Sequence, residues 1–194
     1  MNRDDAPRAR PEERIEALLR SFAVKRTTRA GWHRVGVGEP ESVGDHSWGT
    51  ALLALEFAAL ADVPPHRAAA MAVVHDLPEA ITGDVPYRPA ERTAPVRGEK
   101  AEREAAAMAE LTADGDEARV LWREYEEGAT PTAQFVRDMN LIDMCLQAVI
   151  YAEADAPPRH EALREFLDSS APRLQTNVGR RLFAALERRF LDSW

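Results

Sequence analysis

The sequence predicts an all-α protein, and three observations support that prediction. Apolar residues recur at helical spacing, as Ile15, Leu18 and Phe22 do within the segment 11–24. No segment reads as a persuasive strand, because runs of alternating apolar and polar residues are lacking. Clusters of proline separate the helical segments, for example "DVPPHR" at 62–67.

The chain of 194 residues is long enough for one domain with a sizeable core. It has no internal repeat, low-complexity segment or interdomain linker. We therefore expect residues 1–10 to form a flexible tail and residues 11–194 a single domain. The one cysteine, Cys145, lies in an apolar helical context and is expected in the core. A single cysteine excludes an internal disulfide and a Cys-rich zinc site.

The charge of the chain limits the partners that it can have. A net charge of −8 argues against binding of long nucleic acid, which usually requires a broad basic face. A small phosphorylated substrate needs only a local positive cluster or a metal ion.

The N-terminus is charged and lacks the apolar stretch of a signal peptide, and no run approaches the roughly 20 apolar residues of a membrane span. We therefore expect a cytoplasmic protein without membrane contact.

The first half of the chain is predicted to contain a loop followed by two buried helices. Residues 25–42 are rich in glycine and cations, and a loop of this length is often functional. A helix is expected over 43–61, and its second half is apolar on almost every side, which indicates burial. A second apolar helix covers 66–76. Pro78 then opens a short helix that Gly83 closes.

The second half is predicted to be helical after a proline-containing loop at 83–98. The long helix in this half has a core stripe that includes Phe135, Met139 and Ile142. The predicted helices cover 99–112, 116–127, 132–153, 159–168 and 173–190.

Polar residues stand where these apolar helices begin and end. His46 opens one of them, and His75 and Asp76 end the other. Because a buried carboxylate is costly unless it is paired or bound to metal, two imidazoles and a carboxylate suit a divalent ion. The alternative is a buried His–Asp hydrogen bond that orients the two helices. Glu79 follows one turn after Asp76 and is a candidate general acid or base, or else a solvated helix-start residue.

Four segments, in this order, carry a resemblance to a known family: "ESVGDHSWGTALLAL", "VVHDLPEAITGDVP", "EKAEREAAAM" and "FVRDMNLIDMCLQA". Together they resemble the HD-domain metal-dependent phosphohydrolases, and within them the 5′-deoxynucleotidases, over about residues 13–153. The resemblance implies a helical bundle around a metal cleft that holds one divalent ion, with Co²⁺, Mn²⁺, Mg²⁺ and Zn²⁺ as candidates. It also implies hydrolysis of deoxynucleoside 5′-monophosphates, a small nucleotide substrate, by a homodimer.

The resemblance also assigns roles to residues that match the motifs. His46, His75 and Asp76 match metal ligands of the family. Glu79 matches the glutamate of proton transfer or water positioning. Asp84, which could otherwise be a simple turn residue, matches a second carboxylate near the phosphate and sugar.

The chain departs from the family at its last metal ligand, where Asn140 replaces an aspartate. An amide oxygen can bind metal but brings no negative charge, so hard ions would be held more weakly. Asp138 lies about 200° away around the helix, whereas Asp143 lies about 60° away and one turn along, which makes it a possible substitute ligand. The competing hypothesis is a non-catalytic HD-fold protein that binds a nucleotide or a partner.

The loop at 25–42 offers residues that could bind the substrate. Trp32 could stack on a base or sugar face, and Lys25, Arg29 and Arg34 could pair with phosphate, arginine being the better bidentate donor. The alternative is a tryptophan that packs the loop down while the cations stay in solvent. No histidine lies between Asp76 and Asn140, so the resemblance implies a site with one metal rather than two.

Overall fold

The computed structural model describes residues 11–86, 94–154 and 156–193, and this part of the chain contains helices but no strand. The all-α prediction is confirmed. The α-helices are α1 (Pro11–Ser21), α2 (Ala30–His33), α3 (Val43–Phe57), α4 (Pro65–Val74), α5 (Glu79–Thr82), α6 (Ala94–Leu111), α7 (Glu117–Glu127), α8 (Pro131–Ala152), α9 (His160–Ser170) and α10 (Asn177–Asp192). Short 3₁₀ segments occur at Phe22–Lys25, Ala58–Ala61 and Ala171–Arg173.

Local capping fixes where the two central helices begin. The Ser42 side chain accepts a hydrogen bond from Asp45 N, and Asp45 Oδ2 accepts one from Ser42 N, which is a capping box at the start of α3. His46 therefore lies in the first turn of α3. Thr130 caps α8 through Ala133 N, directly before the proline that opens the helix.

Helix α8 runs through the centre of the molecule and contributes to both hydrophobic clusters. It packs against α3, α4 and α7 in one cluster, with Ala54, Met71 and Met139 fully buried there. The second cluster joins the end of α8 to α9 and α10, and includes Cys145 and Phe190. Cys145 is buried, as its apolar context predicted. No helix in the described part of the chain is long and apolar enough to cross a membrane.

The helix boundaries differ from the prediction at several places. The predicted loop at 25–42 contains the short helix α2, and α6 begins at Ala94 instead of 99. Helix α10 begins at Asn177 instead of 173, because the side chain of Thr176 caps it through Gly179 N. The predicted tail at 1–10 lies outside the described residues, as do residues 87–93 of the predicted second loop.

Candidate active site

Three predicted ligands converge where α3 meets the end of α4. His46 Nε2 and His75 Nε2 lie 3.3 Å apart, and Asp76 Oδ2 lies 3.6 Å from the first and 3.2 Å from the second. Metal-bound nitrogen and oxygen atoms at about 2.0–2.2 Å from an ion have similar mutual separations. Both imidazoles are buried, and burial holds the pKa of His46 well below its usual value, which leaves the ring neutral. The donor set therefore fits one divalent ion.

The other ring nitrogens of the two histidines are held by oxygen acceptors. His75 Nδ1 donates to the carbonyl oxygen of Ala72 at 2.7 Å. His46 Nδ1 lies 2.6 Å from Asp143 Oδ2. When Nδ1 donates in this way, the Nε2 lone pair is free to bind metal, and the orientation of the ring is fixed.

Asp143 therefore does not take the place that the helix geometry suggested. Its carboxylate binds the ring nitrogen of His46 opposite to the one that faces His75 and Asp76. Glu41, His46 and Asp143 do form a second group of possible ligand atoms, but its closest pair is this same hydrogen bond. This hydrogen bond favours Asp143 as an orienting partner of His46, whereas its place as a substitute metal ligand stays a prediction.

Gly49 creates the space for this carboxylate, a feature that the sequence reasoning missed. A Cβ at position 49 would lie 2.0 Å from Asp143 Oδ1, far inside any permitted contact. Gly49 is three residues after His46 on α3, so His46 and the space beside Gly49 lie on the same face of the helix. The "HSWG" segment contains this glycine, but only the packing of α3 on α8 reveals its partner.

Glu79 lies beside the cluster, 4% exposed, at the start of α5. Burial, followed by the charges of Asp76 and Asp84, raises the pKa of Glu79 to about 10. Its Oε2 has no hydrogen-bond partner in the described structure. Buried polar atoms are nearly always paired, so this atom indicates a place where a ligand group binds.

Asp84 lies next to a turn and also borders the cavity. It follows Gly83, whose φ of 71° suits a turn, and its Oδ2 accepts a hydrogen bond of 2.7 Å from Ala30 N at the start of α2. It also lines the cavity next to the cluster. Asp84 thus ties α2, which carries Trp32, to the metal-binding end of the site.

Two cations reach the cavity near the cluster. Arg29 Nη1 lies 3.6 Å from Asp76 Oδ2. Burial alone would lower the pKa of Arg29, but the negative charges of Asp76, Asp84 and Glu41 outweigh it, so the pKa is raised. Lys100, on α6, also lines the cavity and pairs with Glu104 at 3.0 Å. The sequence reasoning quoted the segment with Lys100 but assigned no role to this residue.

The other predicted substrate cations are placed differently. Arg34 is exposed and contributes to the cavity lining. Lys25 does not line the cavity, and its Nζ lies 4.4 Å above the ring centroid of Phe22 instead. Lys25 therefore lies on Phe22 within the 3₁₀ segment Phe22–Lys25, and its predicted role in substrate binding finds no support in the cavity lining.

Trp32 belongs to the hydrophobic core. Its side chain is 1% exposed, and its Nε1 donates to Glu41 Oε1 at 2.9 Å. Phe166 stacks on its ring with centroids 4.0 Å apart, and Tyr151 meets it edge-on at 5.1 Å. The ring touches the cavity, but it has too little free surface to stack on a base, so packing of the loop is its main role.

Asn140 does line the cavity, as its motif position predicted. Its Nδ2 donates to the hydroxyl of Tyr125 at 2.7 Å, and its amide oxygen stays available to another partner. Asp138 points elsewhere, as expected from the helix geometry. Its carboxylate accepts hydrogen bonds from Gln175 N and Thr176 N and so joins α8 to the start of α10.

A cavity of about 990 Å³ adjoins this arrangement; Asp76 lines it, whereas the buried His46 and His75 do not. Its polar lining residues include Arg29, Asp76, Glu79, Asp84, Lys100, Tyr125 and Asn140, and also Glu165, Asp168 and Ser169 on α9. Its apolar lining residues include Trp32, Val85, Pro86, Leu141, Met144 and Phe166. A cavity with both charged and apolar lining suits a ligand with an anionic group and a flat apolar part.

The helical fold and the His–His–Asp cluster define an HD-domain protein. The HD domain model matches residues 23–180, and the chain belongs to this family. It is 35% identical over 152 residues to the 5′-deoxynucleotidase HDDC2 of Danio rerio, which corresponds to 76% of this chain and 72% of that protein. The human 5′-deoxynucleotidase HDDC2 is 34% identical over 155 residues, or 76% and 72% of the two chains.

Solved structures agree with this assignment. The PH0347 protein of Pyrococcus horikoshii OT3 superposes with a TM-score of 0.73 and 32% identity over 90% of this chain and 99% of that one. A cyanophage S-2L HD phosphohydrolase, bound to dA and one catalytic Zn²⁺ ion, superposes with a TM-score of 0.62 over 95% and 98% of the two chains. Its identity of 20% supports the shared fold alone.

Proposed function

We propose that this chain is a metal-dependent 5′-deoxynucleotidase, which hydrolyses deoxynucleoside 5′-monophosphates to a deoxynucleoside and phosphate. The observation that carries the proposal is the convergence of His46, His75 and Asp76, of which Asp76 lines a cavity together with Glu79 and Arg29. The alignments with the relatives named 5′-deoxynucleotidase cover more than two thirds of the length of each relative, which supports the same reaction here.

One divalent ion would be held by His46, His75 and Asp76, with the amide oxygen of Asn140 as a fourth ligand. When bound, such an ion polarises a phosphoryl oxygen and lowers the pKa of a coordinated water. Because Asn140 is neutral, the site carries one negative charge fewer than a site with a second aspartate. We therefore expect Co²⁺ and Zn²⁺, which accept imidazole readily, to bind more tightly than Mg²⁺.

The chain's own residues would bind the nucleotide and handle the proton. Arg29 and Lys100 present positive charge in the cavity, where a phosphate dianion needs it. The pKa of Glu79 is raised in the metal-free protein, which favours its protonated carboxyl, and this group would donate a proton to the departing 5′-oxygen. Asp84 would accept a hydrogen bond from the sugar.

The experiment is phosphate release from a panel of deoxynucleoside and nucleoside 5′-monophosphates, with Co²⁺, Mn²⁺, Mg²⁺ and Zn²⁺ added separately. The double variant His75→Ala/Asp76→Ala serves as the blank. His66→Ala, at an exposed histidine outside the cavity, is the matched control. Release by the unmutated protein and the control, but not by the blank, supports the proposal. Equal release by the blank, or no release with any metal, contradicts it.

A second candidate function rests on Asn140. Its amide nitrogen is already bound to Tyr125, and the position carries no charge, so the chain could be an HD-fold protein that binds nucleotides without hydrolysis. The variant Asn140→Asp separates the two functions. If this variant releases phosphate where the unmutated protein releases none, while both bind the nucleotide, the non-catalytic function is correct.

A homodimer is part of the proposal. Trp48, Leu52 and Leu55 form an apolar stripe at helical spacing on α3, and Trp48 is 69% exposed. Contiguous exposed apolar surface is typical of protein interfaces. Light scattering after size exclusion should give twice the mass of the chain, and Trp48→Glu should reduce it to a single chain. The cytoplasmic location stays a prediction of the sequence.

A further inference from the structure

We propose that Phe166 is the platform on which the base of the substrate stacks. This inference rests on the proposed function and assigns the residue that recognises the nucleoside part of the substrate. Phe166 lies on α9, far in sequence from the motifs that contain the metal ligands. It lines the cavity and is only partly buried, so it presents ring surface to a ligand.

The structure holds the ring of Phe166 rigidly from behind. Trp32 stacks on it at 4.0 Å between centroids, with an angle of 28° between the ring planes. Trp32 is fixed in turn by its hydrogen bond to Glu41 and by the edge contact with Tyr151. A preorganised aromatic ring loses little entropy when a flat ligand stacks on it.

A short stretch of chain links the platform to the candidate metal ligands. Arg29 approaches Asp76, and Gly31 lies beside the ring of Phe166. Arg29 and Gly31 are two residues apart, so their Cα atoms are separated by at most about 7 Å. A phosphate bound at Arg29 therefore brings a base that is one sugar away to the region of Phe166.

The surroundings of Phe166 predict how selective this recognition is. Pro86, Leu141 and Met144 line the same cavity as Phe166 and offer apolar contacts without directional hydrogen bonds. Stacking tolerates every base, because each base has an aromatic face. We therefore expect a strong requirement for a base, with little preference for which base it is.

The test compares substrates with and without a base. Phosphate release is measured from deoxynucleoside 5′-monophosphates and from deoxyribose 5-phosphate, for the unmutated protein, Phe166→Leu and Phe166→Tyr. Since base stacking on an aromatic ring contributes about 5- to 100-fold in affinity, Phe166→Leu should raise KM for the nucleotides by about that factor. KM for deoxyribose 5-phosphate should stay the same, and Phe166→Tyr should keep nucleotide KM close to that of the unmutated protein.

Phe22→Leu is the matched control, because Phe22 is exposed and does not line the cavity. If Phe166→Leu raises KM equally for both substrates, or for neither, the platform is refuted.

Calorimetric binding of a free deoxynucleoside separates this outcome from failure of the proposed function. If no phosphate is released by the unmutated protein, the hydrolase proposal fails, yet weaker deoxynucleoside binding by Phe166→Leu would still support the platform. Unchanged binding would overturn it.

Discussion

Gly49→Ala should damage the metal site without touching any metal ligand. The added methyl group would lie 2.0 Å from Asp143 Oδ1 and 3.1 Å from Asp143 Cγ. Real contacts of a Cβ essentially never fall below 3.0 Å, so the carboxylate must retreat by about 1 Å. That retreat lengthens the 2.6 Å contact with His46 Nδ1 beyond the range of a hydrogen bond.

Two energy terms set the size of the effect. Overpacking a buried site costs about 1–3 kcal/mol, and loss of a hydrogen bond to a charged group costs about 1.5–3 kcal/mol. The free energy of unfolding should therefore fall by about 2.5–6 kcal/mol in chemical denaturation. Because the orientation of His46 is also lost, affinity for Co²⁺ or Zn²⁺ measured by calorimetry should fall about 10- to 100-fold.

A double-mutant cycle with Asp143→Ala tests this reasoning, because the shorter side chain leaves room for the methyl group. Gly49→Ala should then cost much less in the Asp143→Ala background than in the unmutated protein. Gly38→Ala is the control, since a Cβ there has no atom within 4 Å. Equal costs of Gly49→Ala in both backgrounds, or metal affinity that does not change, would refute the role of Gly49.

Three further predictions follow from the site. The pKa of Glu79 is raised in the folded protein, so the folded protein loses stability as pH rises from the pKa of Glu79 in the unfolded chain towards about 10. Because glutamine does not ionise, Glu79→Gln should stabilise the metal-free protein increasingly over this pH range in thermal melts. Asn140→Asp adds a negative charge to the cavity, so calorimetry should show tighter Mg²⁺ and Mn²⁺ binding, and unchanged affinity would exclude Asn140 as a ligand. Lys100→Ala should raise KM for the nucleotide by about 10- to 100-fold through loss of a charged hydrogen bond, whereas Lys25→Ala should leave KM the same.

Local sequence signals predicted where the central helices begin and the convergence of His46, His75 and Asp76. Each of these residues stands next to an apolar helix, so the packing of α3 on α4 was enough to bring them together. Helix geometry also correctly predicted that Asp138 points away from the site. The departure at Asn140 was likewise visible in the sequence, and the residue does line the cavity.

The remaining features depend on long-range packing that no local pattern contains. Helix geometry placed Asp143 near Asn140, but the ring nitrogen that it binds depends on the rotation of His46 and the gap at Gly49. Trp32 is buried because Phe166, more than a hundred residues later, covers it. Lys100 reaches the cavity only because α6 packs against α5.

The most direct test of the account is phosphate release by metal-stripped protein during stepwise addition of Co²⁺ or Zn²⁺, with bound metal measured in the same samples. The substrate is a deoxynucleoside 5′-monophosphate. The account predicts no release from the stripped protein and an activity that rises in proportion to bound metal up to one ion per chain. Release that is undiminished after stripping, or its absence from a chain that carries one bound ion, would contradict the claim that His46, His75 and Asp76 hold a catalytic metal.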